Sequence, residues 1–166
     1  MKQNNQTEKL VAVRVRQEKM AGDNRLFFLF TAGQVEEVLP EITVQPVPFA
    51  PSFLQGIASW RGRLLPVIDL EQCLGMDAVG RGGKERYLII RTGAPGNRAG
   101  ERLLRCILQV SEEIRPMDVS DDMSHTNASG VDQSLLKGAY QWKEDSYIIP
   151  DLLSILQTQQ SAVACQ

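Results

Sequence analysis

The order of apolar and polar residues along the chain describes strands far more often than helices. From Leu10, LVAVRVRQ alternates with period two, the pattern of a strand with one buried face. A turn is signalled by Gly-Asp-Asn in KMAGDNR, and the continuous run LFFLF then predicts a second strand covered on both faces. GQVEEVLPEITVQPVP is rich in β-branched residues but interrupted by Pro40, Pro46 and Pro48, which permits short or edge strands and excludes a long helix. APSFLQG predicts one helical turn with Ser52 as its cap. GIASW and RLLPVIDL predict two strands joined at Arg61-Gly62, where Gly62 can take the positive φ of a tight hairpin. Asp69 is placed to cap a short helix over LEQCL, and Gly75 to end it. DAVGRGGK reads as a linker, and RYLIIRT and RLLRCILQV as a strand pair flanking the loop GAPGNRAG. VSEEIRPMDVSDDMSHTNASGVDQS reads mostly as a long polar loop, and the chain closes on LLKGAYQWKEDSYIIPDLLSIL and a frayed polar tail.

The pattern repeats. At an offset of 82, Gly56 matches Gly138, Trp60 matches Trp142, Asp69 matches Asp151, Leu70 matches Leu152 and Leu74 matches Leu156. Between Trp and Asp, RGRLLPVI faces KEDSYIIP, each a polar turn running into an apolar strand. A weaker echo sets QVEEV from Gln34 against QVSEEI from Gln109. The unit implied is a Trp-bearing hairpin followed by an Asp-capped helical turn. Two such units predict two small β-barrels packed together, each too small to be stable alone. The expected organisation is a disordered stretch over 1–9, one domain over 10–157 with repeats near 10–78 and 84–157 that are free to exchange strands, and a tail over 158–166.

Composition adds limits. A chain of 166 residues suits one compact domain or two intimate halves, and a formal charge of -2 argues against nucleic-acid or membrane binding driven by net charge. MKQNNQTEKL has no apolar leader core, and no run approaches the length of a membrane span. Cys73, Cys106 and Cys165 are odd in number and far apart in sequence, and read as reduced thiols of a cytoplasmic protein. His125 lies alone in a polar loop, so no metal quartet is expected around it, and no nucleophile elbow, zincin or C-x-x-C motif occurs. GRGGKE lacks the spacing and hydroxyl of a phosphate loop. The pairs Glu36/Glu37 and Glu112/Glu113 are neighbours on strands, where adjacent side chains diverge, so neither is expected to converge on a substrate. Between Arg81 and Arg105 seven basic residues stand against two acidic ones, and from Glu112 to Asp122 five acidic against one basic. Tyr87 is the one aromatic in the basic segment, which weakens a nucleic-acid reading.

The stretch QVEEVLPEITVQPVPFAPSFLQGIASWRGRLLPVIDLEQCLGM closely resembles the CheW family of chemotaxis coupling proteins. It carries a V-x-E-V strand, a proline-bearing strand, an AP-x-F-x-x-G turn, an L-R-G-like hairpin, P-V-I-D-L and a Leu-Gly helical end. The likeness is strong from Gln34 to Met76 and continuous from Leu10 to Leu156. It implies a mainly β fold of two SH3-like five-stranded barrels around a shared core, without catalysis or cofactor. It also implies a scaffold between the cytoplasmic tip of a methyl-accepting chemoreceptor and the regulatory domain of a CheA-type histidine kinase, monomeric in isolation. The groove near the barrel junction would receive the receptor tip. By resemblance, Val35, Glu37, Gly56 and Arg61 belong to receptor coupling, with Arg61 and Glu37 paired, the guanidinium being able to grip the carboxylate with two prongs. Trp60, Trp142, Asp69 and Asp151 are expected in the structural core. Trp60 stands where the family usually has Leu, and Ser59 where Asn is common. The alternative reading is a small β-barrel that binds nucleic acid or a small ligand through the basic segment 81–105.

Overall fold

A computed structural model describes residues 8–16, 24–76, 83–93 and 103–163. Of the disorder expected over 1–9, residues 1–7 lie outside the described residues, as do most of the KMAGDNR turn, the linker at 77–82, the loop at 94–102 and the last three residues, Cys165 among them. Lys9 already pairs in a strand, and the tail expected from 158 is helical to Val163.

Among the described residues the strands are β1 (Lys9–Arg14), β2 (Leu26–Thr31), β3 (Val35–Leu39), β4 (Leu54–Trp60), β5 (Arg63–Asp69), β6 (Glu85–Thr92), β7 (Leu104–Ser111), β8 (Ile114–Asp118), β9 (Ser124–His125), β10 (Leu136–Trp142) and β11 (Asp145–Pro150). The helices are α1 (Leu70–Cys73) and α2 (Leu152–Val163), so helix extends beyond Leu156, where the repeated pattern ends. The fold is mainly β, as the alternation predicts, in two sheets ordered β8-β1-β2-β11-β10-β9 and β3-β6-β7-β5-β4. Neither sheet comes from one half of the chain. β1 and β2 sit with β8, β10 and β11, while β6 and β7 sit with β3, β4 and β5. The seams of this exchange are the two parallel pairings, β11 with β2 and β5 with β7.

Strand alternation divides the apolar residues among three clusters. On β2, Phe27 and Leu29 join Ala12 and Tyr147 inside one sheet, while Leu26, Phe28 and Phe30 point into a central core between the sheets. On β7, Ile107 joins Ala58, Leu65, Val67 and Ile89 inside the other sheet, while Cys106, Leu108 and Val110 point centrally. LFFLF is covered on both faces for this reason. Burial of each such side chain contributes about 1.5–3 kcal/mol, so each of these strands ties the inside of its own sheet to the central core.

The repeat is written into the backbone. Pairing slips at the same place in both hairpins, between Leu54 and Gly56 and between Leu136 and Gly138. At the tips, Arg61 and Lys143 both adopt positive φ, 46° and 56°. Gly62 does so as well, at 74°, so the first turn takes positive φ at both central residues, as a primed hairpin turn requires, and not at Gly62 alone. The Asp69 carboxylate accepts from the Gln72 N–H at 3.2 Å, and the Asp151 carboxylate from the Ser154 N–H at 3.2 Å, so each caps its helix.

Several local expectations fail for identifiable reasons. Pro51–Phe53 forms a turn closed by the Leu54 N–H on the Pro51 carbonyl at 2.9 Å, and β4 starts at once instead of a helical turn. The supposed polar loop after β7 contains β8, β9 and a single 3₁₀ turn at Gln133–Leu135. β8 pairs with β1, Arg115 opposite Ala12, and a partner about a hundred residues away leaves no local trace. The weak echo holds only at its end, because the Gln-Val of QVSEEI lies in β7 while its Ile114 opens β8, the structural counterpart of the β3 that QVEEV forms.

Arg16, just past β1, is the most deeply buried cation among the described residues, with 3 % of its side chain exposed. Its Nη2 lies 3.0 Å from Asp69 Oδ1, its Nε 3.2 Å from Glu71 Oε1 and its Nη1 2.8 Å from Glu85 Oε1, and its backbone N–H donates to Glu71 at 2.7 Å. The contact therefore ties the end of a strand in one sheet to the capped helix and the first residue of β6 in the other. Arg16→Met removes the shared cation and leaves buried carboxylates facing one another. A loss of about 3–5 kcal/mol is expected, read as a lower urea midpoint at an unchanged slope. A change below about 1 kcal/mol would show that the apolar core alone joins the sheets.

Candidate functional site

β3 is an edge strand whose register against β6 breaks between Val35 and Glu37, which makes Glu36 the extra residue of a bulge. The bulge alters the expectation that Glu36 and Glu37 serve separate surroundings. Glu36 accepts from Arg105 Nε at 2.6 Å and Nη2 at 3.2 Å, with Arg91 Nη1 at 3.9 Å. Glu37 Oε2 accepts from the Trp60 indole N–H at 2.8 Å and from Arg61 Nη2 at 3.2 Å. The hydrogen bond from Arg105 is the largest influence holding the Glu36 carboxyl below its usual range, and the charge of Arg61 adds to it. Both carboxylates thus belong to one cluster, three arginines against two glutamates.

The cluster closes the mouth of its sheet, because β3 and β4 are opposite edges and Glu37 reaches from one to the tip beyond the other. Arg61 stacks on Trp60 with its guanidinium carbon 4.8 Å from the ring centroid. The expected two-pronged grip of Arg61 on Glu37 does not form: Arg61 supplies one N–H and Trp60 the other, to the same oxygen. Arg61 is 69 % exposed and Glu37 34 %, so the pair lies in solvent's reach.

The other expected residues fall around it. Gly56 is buried at φ 150°, and a Cβ there would come within 2.2 Å of the Gln45 carbonyl oxygen. Glycine is what lets residues 44–45 lie against β4, where Gln45 bridges Ile57. Val35 is half-buried against the central core. Trp60 and Trp142 are half-buried at the rims of the two inner clusters, not within them. Asp69 is fully buried and Asp151 half-buried. Glu36, Arg91 and Arg105 were not expected in the site. A bulge has no sequence signature strong enough to place them there.

The remaining chemistry is quiet. Burial raises the Cys106 thiol to about 12 and the Cys73 thiol to about 11, so both stay protonated. Among the described residues no three His, Cys, Asp or Glu side chains are grouped to hold a metal ion. A cleft of about 230 Å³ between Leu26, Ala139 and Ile148 and the segment 126–129 has no charged residue in its lining. In the basic segment, Arg105 is gripped by Glu36, while Arg91, 44 % exposed, stands 3.9 Å from the same carboxylate. Arg81, Arg98 and Arg102 lie outside the described residues. No helix of the described residues is long and apolar enough to cross a membrane.

The model of the CheW-like domain family matches residues 9–160. Over 64 residues the chain is 36 % identical to Protein PilI of Pseudomonas aeruginosa, a match covering 39 % of this chain and 36 % of that protein. The structure resembles the crystal structure of the scaffolding protein TtCheW from Thermoanaerobacter tengcongensis, with a TM-score of 0.63, 20 % identity, and coverage of 92 % of this chain and 89 % of the other. At that identity the likeness speaks for the fold.

Because Arg105 holds the Glu36 carboxyl below its usual range, the folded protein binds that proton less readily than the unfolded chain does. The pair therefore stabilises above the ordinary glutamate value of about 4.3, and its contribution is lost as pH falls through the lower folded value. Glu36→Gln is expected to lower the urea midpoint at pH 7, and the gap from the wild type should narrow towards pH 3. A gap that stays constant with pH would assign the loss to packing and not to charge.

Proposed function

Because the chain belongs to the CheW-like domain family, we propose that it is a non-catalytic scaffold joining the cytoplasmic tip of a chemoreceptor to the regulatory domain of a CheA-type histidine kinase. The family consists of scaffold and adaptor proteins of chemotaxis-type signalling. In this reading the protein works in the cytoplasm, is a monomer when alone, and controls swimming or surface motility by positioning its two partners.

The observation that carries the proposal is the Glu37–Arg61 contact at 3.2 Å, between the two residues that the resemblance to the family assigns to receptor coupling. An exposed ion pair of this kind contributes about 0–1 kcal/mol, so opening it costs little. Only one guanidinium N–H of Arg61 is engaged by Glu37, which leaves donors for a carboxylate on the receptor. Stacking on Trp60 holds the guanidinium in one plane and reduces the freedom lost on binding. Gly56 and the strand bulges fix the hairpin behind it, so the site is presented by strands and not by a loose loop.

Arg61→Asp sets a carboxylate beside Glu37 at a turn position that Asp tolerates. About tenfold weaker binding to the receptor tip is expected, equivalent to about 1.4 kcal/mol, with kinase-domain binding and the unfolding midpoint unchanged. Co-sedimentation with each partner alone and with both together measures this. A folded variant with full receptor binding and full receptor-dependent kinase stimulation would overturn the assignment.

A further inference from the structure

The two hairpin tips share one construction, and only one of them has its acid. Across the β6–β7 sheet, the row of paired residues starting at the repeated glycine runs Gly56, Val67, Ile107, Ile89, Glu37. In the β1–β2 sheet, Gly138 pairs with Ile149, Leu29 with Ala12, and Ala12 with Arg115. The parallel register that sets Ile148 opposite Phe28 carries Ile149 on to Leu29, which completes the row. Arg115 therefore occupies the place of Glu37.

The tip above it is otherwise conserved in form. Lys143 has the positive φ of Arg61, 56° against 46°. Its ammonium lies 4.5 Å from the centroid of the Trp142 ring, where the Arg61 guanidinium carbon lies 4.8 Å from that of Trp60. Trp60 and Arg61 both donate to Glu37. Arg115 cannot accept from a donor. It is turned to other partners, with Nη2 at 3.0 Å from the Tyr147 hydroxyl and 3.4 Å from Asp145, and its guanidinium carbon 4.3 Å from the Phe27 centroid. Asp145 is engaged in turn by Arg25 at 2.8 Å. Among the described residues, neither the Lys143 ammonium nor the Trp142 indole N–H has a carboxylate partner.

We infer that the Trp142–Lys143 tip is a second docking site, which takes an Asp or Glu side chain from a segment of a partner protein. The occupant is set by the twin tip: an indole N–H and a cation at a positive backbone φ hold a carboxylate there. Glu144, next in the chain and exposed, disfavours a dense acidic run and favours separated carboxylates. The inference does not depend on which partner meets Arg61, and it holds or fails independently of the receptor assignment.

The two indole N–H signals report both tips in a nitrogen–proton correlation spectrum of the full chain, assigned with Trp142→Phe. The probe is a capped peptide of alternating glycine and glutamate, added to millimolar concentration at low salt. The Trp142 signal is expected to move saturably, the Trp60 signal to stay fixed, and Lys143→Gln to abolish the movement. In Glu37→Ala, which empties the first tip, the Trp60 signal should begin to move as well. A fixed Trp142 signal overturns the proposal, whether or not Trp60 responds in Glu37→Ala, as does a movement that survives Lys143→Gln. If the Trp142 signal shifts with protein concentration and no peptide, the acid comes from a second copy of this chain, and a foreign partner is excluded.

Discussion

The meeting of Arg16 with Asp69, Glu71 and Glu85 is the contact on which the rest of the architecture depends. Burial alone would weaken the hold of the guanidinium on its proton, but the pull of Glu71, Asp69 and Glu85 more than offsets it, and its affinity for the proton is raised. Such a cluster is weak as a source of net stability, because desolvation opposes the attraction. Its value is direction. The strands are exchanged between sheets, so many apolar arrangements of β1–β2 against β5–β7 would bury comparable area. Few would bring one cation within hydrogen-bonding distance of a helix cap, a helix side chain and the start of β6 together. Apolar contact is indifferent to register in a way that a buried ion pair is not.

Asp69 shows how this constraint reaches the site. It caps α1 and meets Arg16 while closing β5, the strand that returns from the Arg61 tip. Its repeat, Asp151, caps α2 in the same way. The clamp thus anchors one end of the hairpin whose other end presents Arg61. Between the two, Gly56 lets residues 44–45 lie against the outer edge of β4. The exposed pair at the tip is held by a scaffold much stiffer than the pair itself, which is what allows a weak contact to be position-specific.

Much of this was legible in the order of residues, and the gaps have physical causes. The two-faced run LFFLF, the offset of 82 and the paired Asp caps each express a local rule, whether alternation, repetition or capping, and each reappears in the coordinates. The resemblance placed Glu37 and Arg61 together, yet nothing local gave Trp60 its role as the second donor. Glu36 was hidden because strict alternation fails at a bulge, and bulges are set by the partner strand. β8 was hidden because Ile114–Asp118 is short and Pro-bearing, and is a strand only through β1. Arg16 was hidden most completely. In LVAVRVRQ it occupies a polar position of an alternating strand, and only three-dimensional neighbours distinguish a buried arginine from a solvated one.

The ion pairs of this chain divide into strong ones that hold the fold and weak ones that solvent can reach. Arg16 is sealed among its carboxylates, and Glu36 is gripped by two N–H groups of Arg105, the shorter bond 2.6 Å. Glu37 and Arg61, one residue further along the bulge and across the mouth, are joined by a single exposed contact that water and a partner can contest. The bulge produces this contrast, because it turns one glutamate inward to hold the strand and leaves the next at the rim. In the other sheet the rim glutamate is replaced by Arg115, whose charge is spent on Asp145 and whose plane covers Phe27. The two hairpins therefore share one platform but differ in the tip cation, Arg61 against Lys143, and at the rung that holds Glu37 in one sheet and Arg115 in the other. That asymmetry gives a pseudo-symmetric protein two chemically different rims, one closed by an internal carboxylate and one lined by cations, which is the kind of difference that separates one binding partner from another.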